Sequence, residues 1–382
     1  MSPEELAEAK QYGRLGLACT IADRVLDMAY LAVAALVLAG PVDVWLQQSA
    51  WLARWWSLRL AVLFVLMVAA HVAVSFPLSF YSGHQLEHRF GLSRLSFGAW
   101  LWRYAKQNLL AVALGLPLMA GLYWLIWTTG PWWWLVAAGA FFLVSVVLGQ
   151  LAPVLLLPLF YKVERLDAPE LTERIRRVAQ GTGLSIEGVY RMGLSAETVK
   201  ANAMLAGLGR TRRVILGDTL LDGFRPEEIE VVLAHEVGHH VFRHIPKLIL
   251  LGLATSAAGF WICDRLLVAW VGTGQAGQFD YAAMPVATLP LVMLTITLCT
   301  MLLEPLQNAV SRRFERQSDR YALDRTGLAD AYLSAFRKLA RLNKDDPDPH
   351  WLEVFLFHSH PPIRERLAMA QTSPSSARAN GN

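Results

Sequence analysis

Charged side chains are scarce in this chain. Of its 382 residues only 17% are Asp, Glu, Lys or Arg, against about 25% in ordinary soluble domains. A disordered chain, which stays open through charge and low hydrophobicity, is excluded. Cysteine is also sparse. Cys19, Cys263 and Cys299 all sit in apolar surroundings and form no C-x-x-C spacing, which excludes a disulfide framework and a cysteine metal site. They read as small core side chains. The net charge of +4 is modest, so nucleic acid is not an implied partner. The N-terminus, MSPEELAEAK, lacks the basic start and small-residue cleavage site of a signal peptide. No internal repeat is visible.

What the chain has is hydrophobic length. Fifty-four per cent of its residues are hydrophobic, 14 of them Trp, and residues 107–161 contain no Lys, Arg, Asp or Glu. Gly130-Pro131 divides that run into two segments, each long enough for a membrane helix of about 20 residues. Further runs near 26–42, 58–80, 248–270 and 284–307 bring the expected total to six spans. The architecture read from this is a polytopic α-helical membrane protein with two polar segments. Its expected divisions are a four-helix membrane region at 1–160 with a loop at 81–106, and a polar segment at 161–245. Two more spans follow at 246–307, then a second polar segment at 308–371 and a disordered tail at 372–382. Lys and Arg cluster in alternate connections: Lys10, Arg14 and Arg24 before the first span, and Arg89, Arg94, Arg103 and Lys106 before the third. The positive-inside rule then places both termini and the polar segments on the cytoplasmic side, which in a bacterial host is that of the inner membrane.

The polar segments carry the local signals of a small α+β unit. Residues 169–180 read as an amphipathic helix with Leu171, Ile175, Val178 and Ala179 on one face. Short strands are expected at 188–192, 202–205 and 213–216. A helix starts at Pro226, and helices follow at 311–324, 332–342 and after Pro361-Pro362.

The chemical signal lies on the helix after Pro226, which reads His235-Glu236-Val237-Gly238-His239. Histidines at i and i+4 share a helix face, so both imidazoles can reach one Zn²⁺. Glu236 beside them can take a proton from water that the metal activates. Ten histidines make a chance pair conceivable, and His240 and His244 read as surface or supporting groups rather than ligands. A catalytic zinc needs a third protein ligand. Ile245 and Phe242 stand where a metzincin would have its third His and the preceding Gly. Glu315 and Asp319, one turn apart, suit a carboxylate ligand and a carboxylate that orients a ligand histidine. The residues alone leave an exposed acidic pair among arginines equally open.

The combination HEVGHH and NAVSRRFERQSD resembles the HExxH and NxxSRxxExxAD motifs of the CAAX prenyl protease 1 family of membrane zinc proteases, whose shorter relatives are the HtpX-type proteases. FPLSFYSGHQLEHRFGLS, LPLFYKVERL, ANAMLAGLGRTRRVILGDTLL and HSHPPIRERL extend the resemblance over 76–367. Four spans before the catalytic segment favour the prenyl-protease branch, and the resemblance implies a polytopic α-helical membrane protein carrying a small α+β zincin-like catalytic domain. The resemblance implies that His235, His239 and Glu315 bind one zinc ion, that Glu236 is the general base, and that Asp319 supports the ligands. It implies that Asn202, His360 and Arg366 line the site and help to stabilise the oxyanion. Ser318 stands where the family usually has Ala, and eukaryotic members have seven spans. His71, inside the second span, either lines a chamber or is hydrogen-bonded between helices, while His84 and His88 read as loop residues. The expected function is a zinc-dependent endopeptidase of a CAAX-type or membrane-protein quality-control substrate, bound extended near 202–205 within a lipid bilayer. The alternative is a zinc-binding scaffold or chaperone without proteolysis, in which Glu236 would have no use.

Overall fold

A computed structural model describes residues 1–207, 212–271 and 279–372. The expected tail lies outside these residues apart from Thr372. The chain begins with α1 (Pro3–Val33), which runs through a π-helical stretch, Ala34–Leu38, into α2 (Ala39–Gln47). Next come α3 (Ala50–Arg54) and α4 (Trp56–Phe80). A second π-helical stretch, Tyr81–Leu86, leads to the short α5 (Glu87–Arg89). The charge-free run forms α6 (Phe97–Thr129) and α7 (Trp133–Leu151), with a 3₁₀ turn at Gly130–Trp132 between them. Gly130 adopts φ +54°, a conformation glycine reaches at no steric cost.

Five stretches among the described residues are long and apolar enough to cross a membrane: Pro3–Gln47, Trp56–Arg89, Phe97–Leu159, His244–Val271 and Val286–Thr326. The six expected spans map onto these five because α6 and α7 share one stretch. Their inward faces pack around Leu60, Leu63, Tyr123, Ile126 and Trp133, all buried, while Leu109, Leu143, Leu250 and Leu302 stay exposed. An apolar exterior with backbone hydrogen bonds satisfied inside each helix is what a bilayer demands. His71 donates from Nε2 to Asp27 Oδ1 at 2.7 Å, so it joins α4 to α1. His84 and His88 fall on the helical extension of α4 rather than in a loop.

The polar part holds β1 (Val163–Arg165), α8 (Pro169–Ala179), β2 (Ile186–Met192), β3 (Ala203–Ala206) and β4 (Arg212–Gly217). α9 (Asp218–Gly223) and α10 (Pro226–Val241) follow. The sheet order is β1-β2-β4-β3; β2 runs parallel to β4, while β1–β2 and β3–β4 are antiparallel. β3 is therefore an edge strand. On α8 the buried residues are Leu171, Ile175, Val178 and Ala179, the face that its periodicity marks. That face, with Ile229, Val232 and Leu233 of α10, covers the sheet residues Val189, Val214 and Leu216. β1 has no counterpart in the sequence reading.

α11 (His244–Val271) returns through the apolar region, and α12 (Leu289–Thr326) leads out of it. α12 is one helix of 38 residues, whereas the sequence suggests a span and a separate polar helix. The change from apolar to charged residues near Gln307 alters the surroundings, not the backbone. The helix stops only at Gly327, whose φ of +67° forms a left-handed cap. α13 (Ala329–Asn343), α14 (Trp351–Phe357) and α15 (Ile363–Gln371) are the last elements among the described residues.

Candidate active site

α10 and α12 bring the motif residues together. Gly238 permits this: a Cβ there would lie 3.0 Å from the Ser318 Cα, so no larger residue lets the two backbones approach as closely. The Nε2 atoms of His235 and His239 stand 3.2 Å apart. Glu315 reaches in from α12, its Oε2 3.2 Å from the His235 Nε2 and its Oε1 3.3 Å from the His239 Nε2. One donor atom from each of the three lies within 4.8 Å of the others. Glu315 Oε2 is buried and has no hydrogen-bond partner among the described residues. Two imidazoles, a carboxylate and a buried unpaired oxygen form a donor set that fits a divalent metal with one coordination position left open.

The outer nitrogen of His235 is held as well. Its Nδ1 is 2.9 Å from Asp319 Oδ1. Asp319, fully buried, accepts from Arg366 Nη2 at 2.6 Å and from Arg366 Nε at 2.9 Å. This carboxylate–histidine arrangement fixes the ring and increases its basicity. Burial disfavours a charged His235, but the Asp319 and Glu315 carboxylates outweigh it and raise the imidazole to about 9. A metal taking Nε2 must displace a proton, so its binding weakens as pH falls.

Glu236 is half-buried, faces the same cavity and has no hydrogen bond among the described residues. Burial raises its carboxyl above the usual range, with the neighbouring His235 and His239 pulling the other way. A carboxylate shifted toward neutrality is suited to exchange protons in both directions.

The cavity, about 710 Å³, is also lined by Asn202, His360 and Arg366, and on the opposite side by Gly13, Gly16 and Arg24 of α1. His360 Nε2 lies 3.5 Å from Glu315 Oε2, and His360 is largely exposed. Asn202 immediately precedes β3; its carbonyl accepts from the Gly217 amide at 2.9 Å, leaving its side chain exposed. All eight residues singled out in the sequence thus surround one cavity or support its wall.

Sequence reasoning missed two supports. Lys200 Nζ is 2.9 Å from Glu87 Oε2 and 3.1 Å from the Tyr12 hydroxyl, which ties α1 and α5 to the approach to β3. Ser93 and Thr198 form an antiparallel bridge in the same place. The other is Gln317, whose Oε1 lies 3.0 Å from the Nε2 of His244. Of the two places left open for His244, surface or support, the structure shows it buried at 3.1 Å from His239. The Tyr12 hydroxyl also donates to Glu87, so the first cluster joins residues 75 to 188 positions apart, and no local pattern signals it.

An HExxH helix facing a carboxylate from a distant helix, on a body of long apolar helices, defines a membrane metalloprotease. The chain belongs to peptidase family M48, whose profile matches residues 165–373. A second profile, "CAAX prenyl protease N-terminal, five membrane helices", matches residues 1–162. The uncharacterized metalloprotease YhfN of Bacillus subtilis is 29% identical over 307 residues, covering 78% of this chain and 70% of the relative. CAAX prenyl protease 1 of Saccharomyces cerevisiae is 28% identical over 323 residues, covering 79% and 70%. The crystal structure of S. mikatae Ste24p superposes with a TM-score of 0.80 at 22% identity, covering 97% of this chain and 90% of that one. That likeness bears on the fold.

Proposed function

We propose that this metalloendopeptidase uses zinc, held by His235, His239 and Glu315, and cleaves peptide bonds inside the cavity between α1 and the catalytic segment. The observation that carries the reading is the three-residue donor cluster with Glu236 facing the same cavity beside it. When bound, the metal polarises the scissile carbonyl and acidifies the attacking water. Glu236 accepts the proton of that water as its oxygen adds to the carbonyl carbon, and later donates it to the amine nitrogen as the C–N bond breaks. His360 and the Asn202 side chain hydrogen-bond the oxyanion while it carries charge. Arg366 keeps two donors on Asp319 and adds its positive charge to the field at the site. The substrate lies extended along β3, whose outer edge offers backbone groups with little demand on sequence.

Relatives named CAAX prenyl proteases make a prenylated C-terminal peptide the first substrate to test; a misfolded membrane protein is the second. Purified protein should cleave at least one of them with added Zn²⁺ and fail after chelation. Cleavage of neither, with zinc bound, would favour the scaffold reading. The catalytic segment and both termini are proposed to face the cytoplasm. Reporter fusions after Asp167 and after Asp280 should give opposite signals, and cytoplasmic signals from Asp280 would reverse the orientation.

A further inference from the structure

We infer that His244 and Gln317 position the second metal-ligating histidine, doing for His239 what Asp319 and Arg366 do for His235. The inference rests on the metal reading above and gives a specific role to two residues outside the ligand set. His244 Nδ1 lies 3.1 Å from His239 Nδ1, and His244 Nε2 lies 3.0 Å from Gln317 Oε1. The ring is fully buried and stacks on Phe314, centroids 4.2 Å apart and planes 6° from parallel.

The backbone is shaped to deliver it. α10 ends at Val241 and α11 begins at His244, and between them Arg243 adopts φ +53°. A left-handed arginine is uncommon and costs energy, and such residues cluster where function needs them. Here the turn folds the first residue of α11 back beneath the last turn of α10.

Proton placement follows from the acceptors. An amide oxygen only accepts, so His244 carries its proton on Nε2 and donates it to Gln317. His244 Nδ1 is then a bare acceptor, with the Ser318 hydroxyl at 3.5 Å and His239 Nδ1 nearer at 3.1 Å. Two lone pairs repel at that separation, so His239 holds its proton on Nδ1. That leaves the His239 Nε2 lone pair free and aimed at Glu315 and His235. The opposite arrangement, with His244 donating from Nδ1, would need a His239 proton on Nε2 and block metal binding. Gln317 thus selects the His239 tautomer through His244, with no charge buried beside the ligand.

The test is Zn²⁺ affinity by chelator competition on the full chain in detergent, with thermal unfolding in parallel. His244→Phe keeps the ring and its stacking but removes both nitrogens. It should bind Zn²⁺ about 10–100-fold more weakly while unfolding at nearly the parent temperature. Gln317→Glu keeps an acceptor and should stay close to parent; Gln317→Met should weaken Zn²⁺ in the same direction as His244→Phe. Parent-like affinity in both His244→Phe and Gln317→Met overturns this inference alone. Absence of Zn²⁺ binding by the parent protein overturns it together with the metal reading. If His244→Phe does not fold, the Gln317 pair decides: equal affinity in Gln317→Glu and Gln317→Met contradicts tautomer selection.

Discussion

Replacing Asp319 by alanine removes one residue but strands two. Its carboxylate accepts two hydrogen bonds from Arg366 and faces His235 Nδ1, and all three side chains are buried. Breaking a buried ion pair by deleting one partner costs about 3–5 kcal/mol, because the other charge remains desolvated. Loss of the carboxylate behind a ligand histidine separately weakens metal affinity by about 10–100-fold, or about 1.4–2.7 kcal/mol. The two effects separate experimentally: chelated protein reports the first in its unfolding free energy, and competition with a chelator reports the second. Asp319→Ala combined with Arg366→Met removes both charges. The double variant should be less destabilised than Asp319→Ala, since no unpaired guanidinium is left, yet remain equally weak for the metal. A single variant destabilised by under about 1 kcal/mol would refute the argument. So would a double variant whose loss equals the sum of the singles.

His360→Ala should lower kcat by about 10²–10³-fold, as removal of an oxyanion donor does, with metal content and unfolding temperature unchanged; loss of either marks a structural residue. Glu228, fully buried at the start of α10, offers a pH test. Burial alone would raise its carboxyl, but Lys338, the Ser334 hydroxyl and the Arg225 amide outweigh it and hold it at about 2. A depressed carboxyl stabilises the fold above its ordinary range and ceases to as pH falls from about 4.5 toward 2, a contribution of roughly 3 kcal/mol at neutral pH. Denaturant unfolding of Glu228→Gln should therefore show lower stability at pH 7 and a shallower loss below pH 4.5; equal stability at pH 7 would contradict it.

Which parts were legible in the sequence follows the range of the physics. The His235–His239 pair and the buried face of α8 depend on one helix repeat, so a few residues encode them. The apolar stretches follow from hydrophobic length alone. Pairing Glu315 with His239 across 76 residues needed the family resemblance, because no local rule selects that carboxylate over its neighbours. The continuity of α12 was hidden because polarity changes at its middle, where Pro305, ordinarily a helix breaker, lies inside the helix, while only Gly327 marks the stop. α14 was missed because seven residues, capped by the His350 side chain at 3.3 Å, show too little period to read. The Tyr12–Glu87–Lys200 cluster and the His244–Gln317 relay are tertiary contacts, specified by how helices pack.

In the proposed mechanism one carboxylate performs chemistry and another holds the metal, and metal content measured beside turnover separates the two roles. Glu236 makes no hydrogen bond or ion pair among the described residues, whereas Glu315 approaches both histidines within 3.3 Å. After dialysis against metal-free buffer, Glu236→Gln should retain about one zinc per chain and lose nearly all cleavage of a fluorogenic peptide. Glu315→Ala, left with two imidazoles, should lose both zinc and cleavage. Full zinc in Glu315→Ala, or surviving turnover in Glu236→Gln, would contradict the assignment.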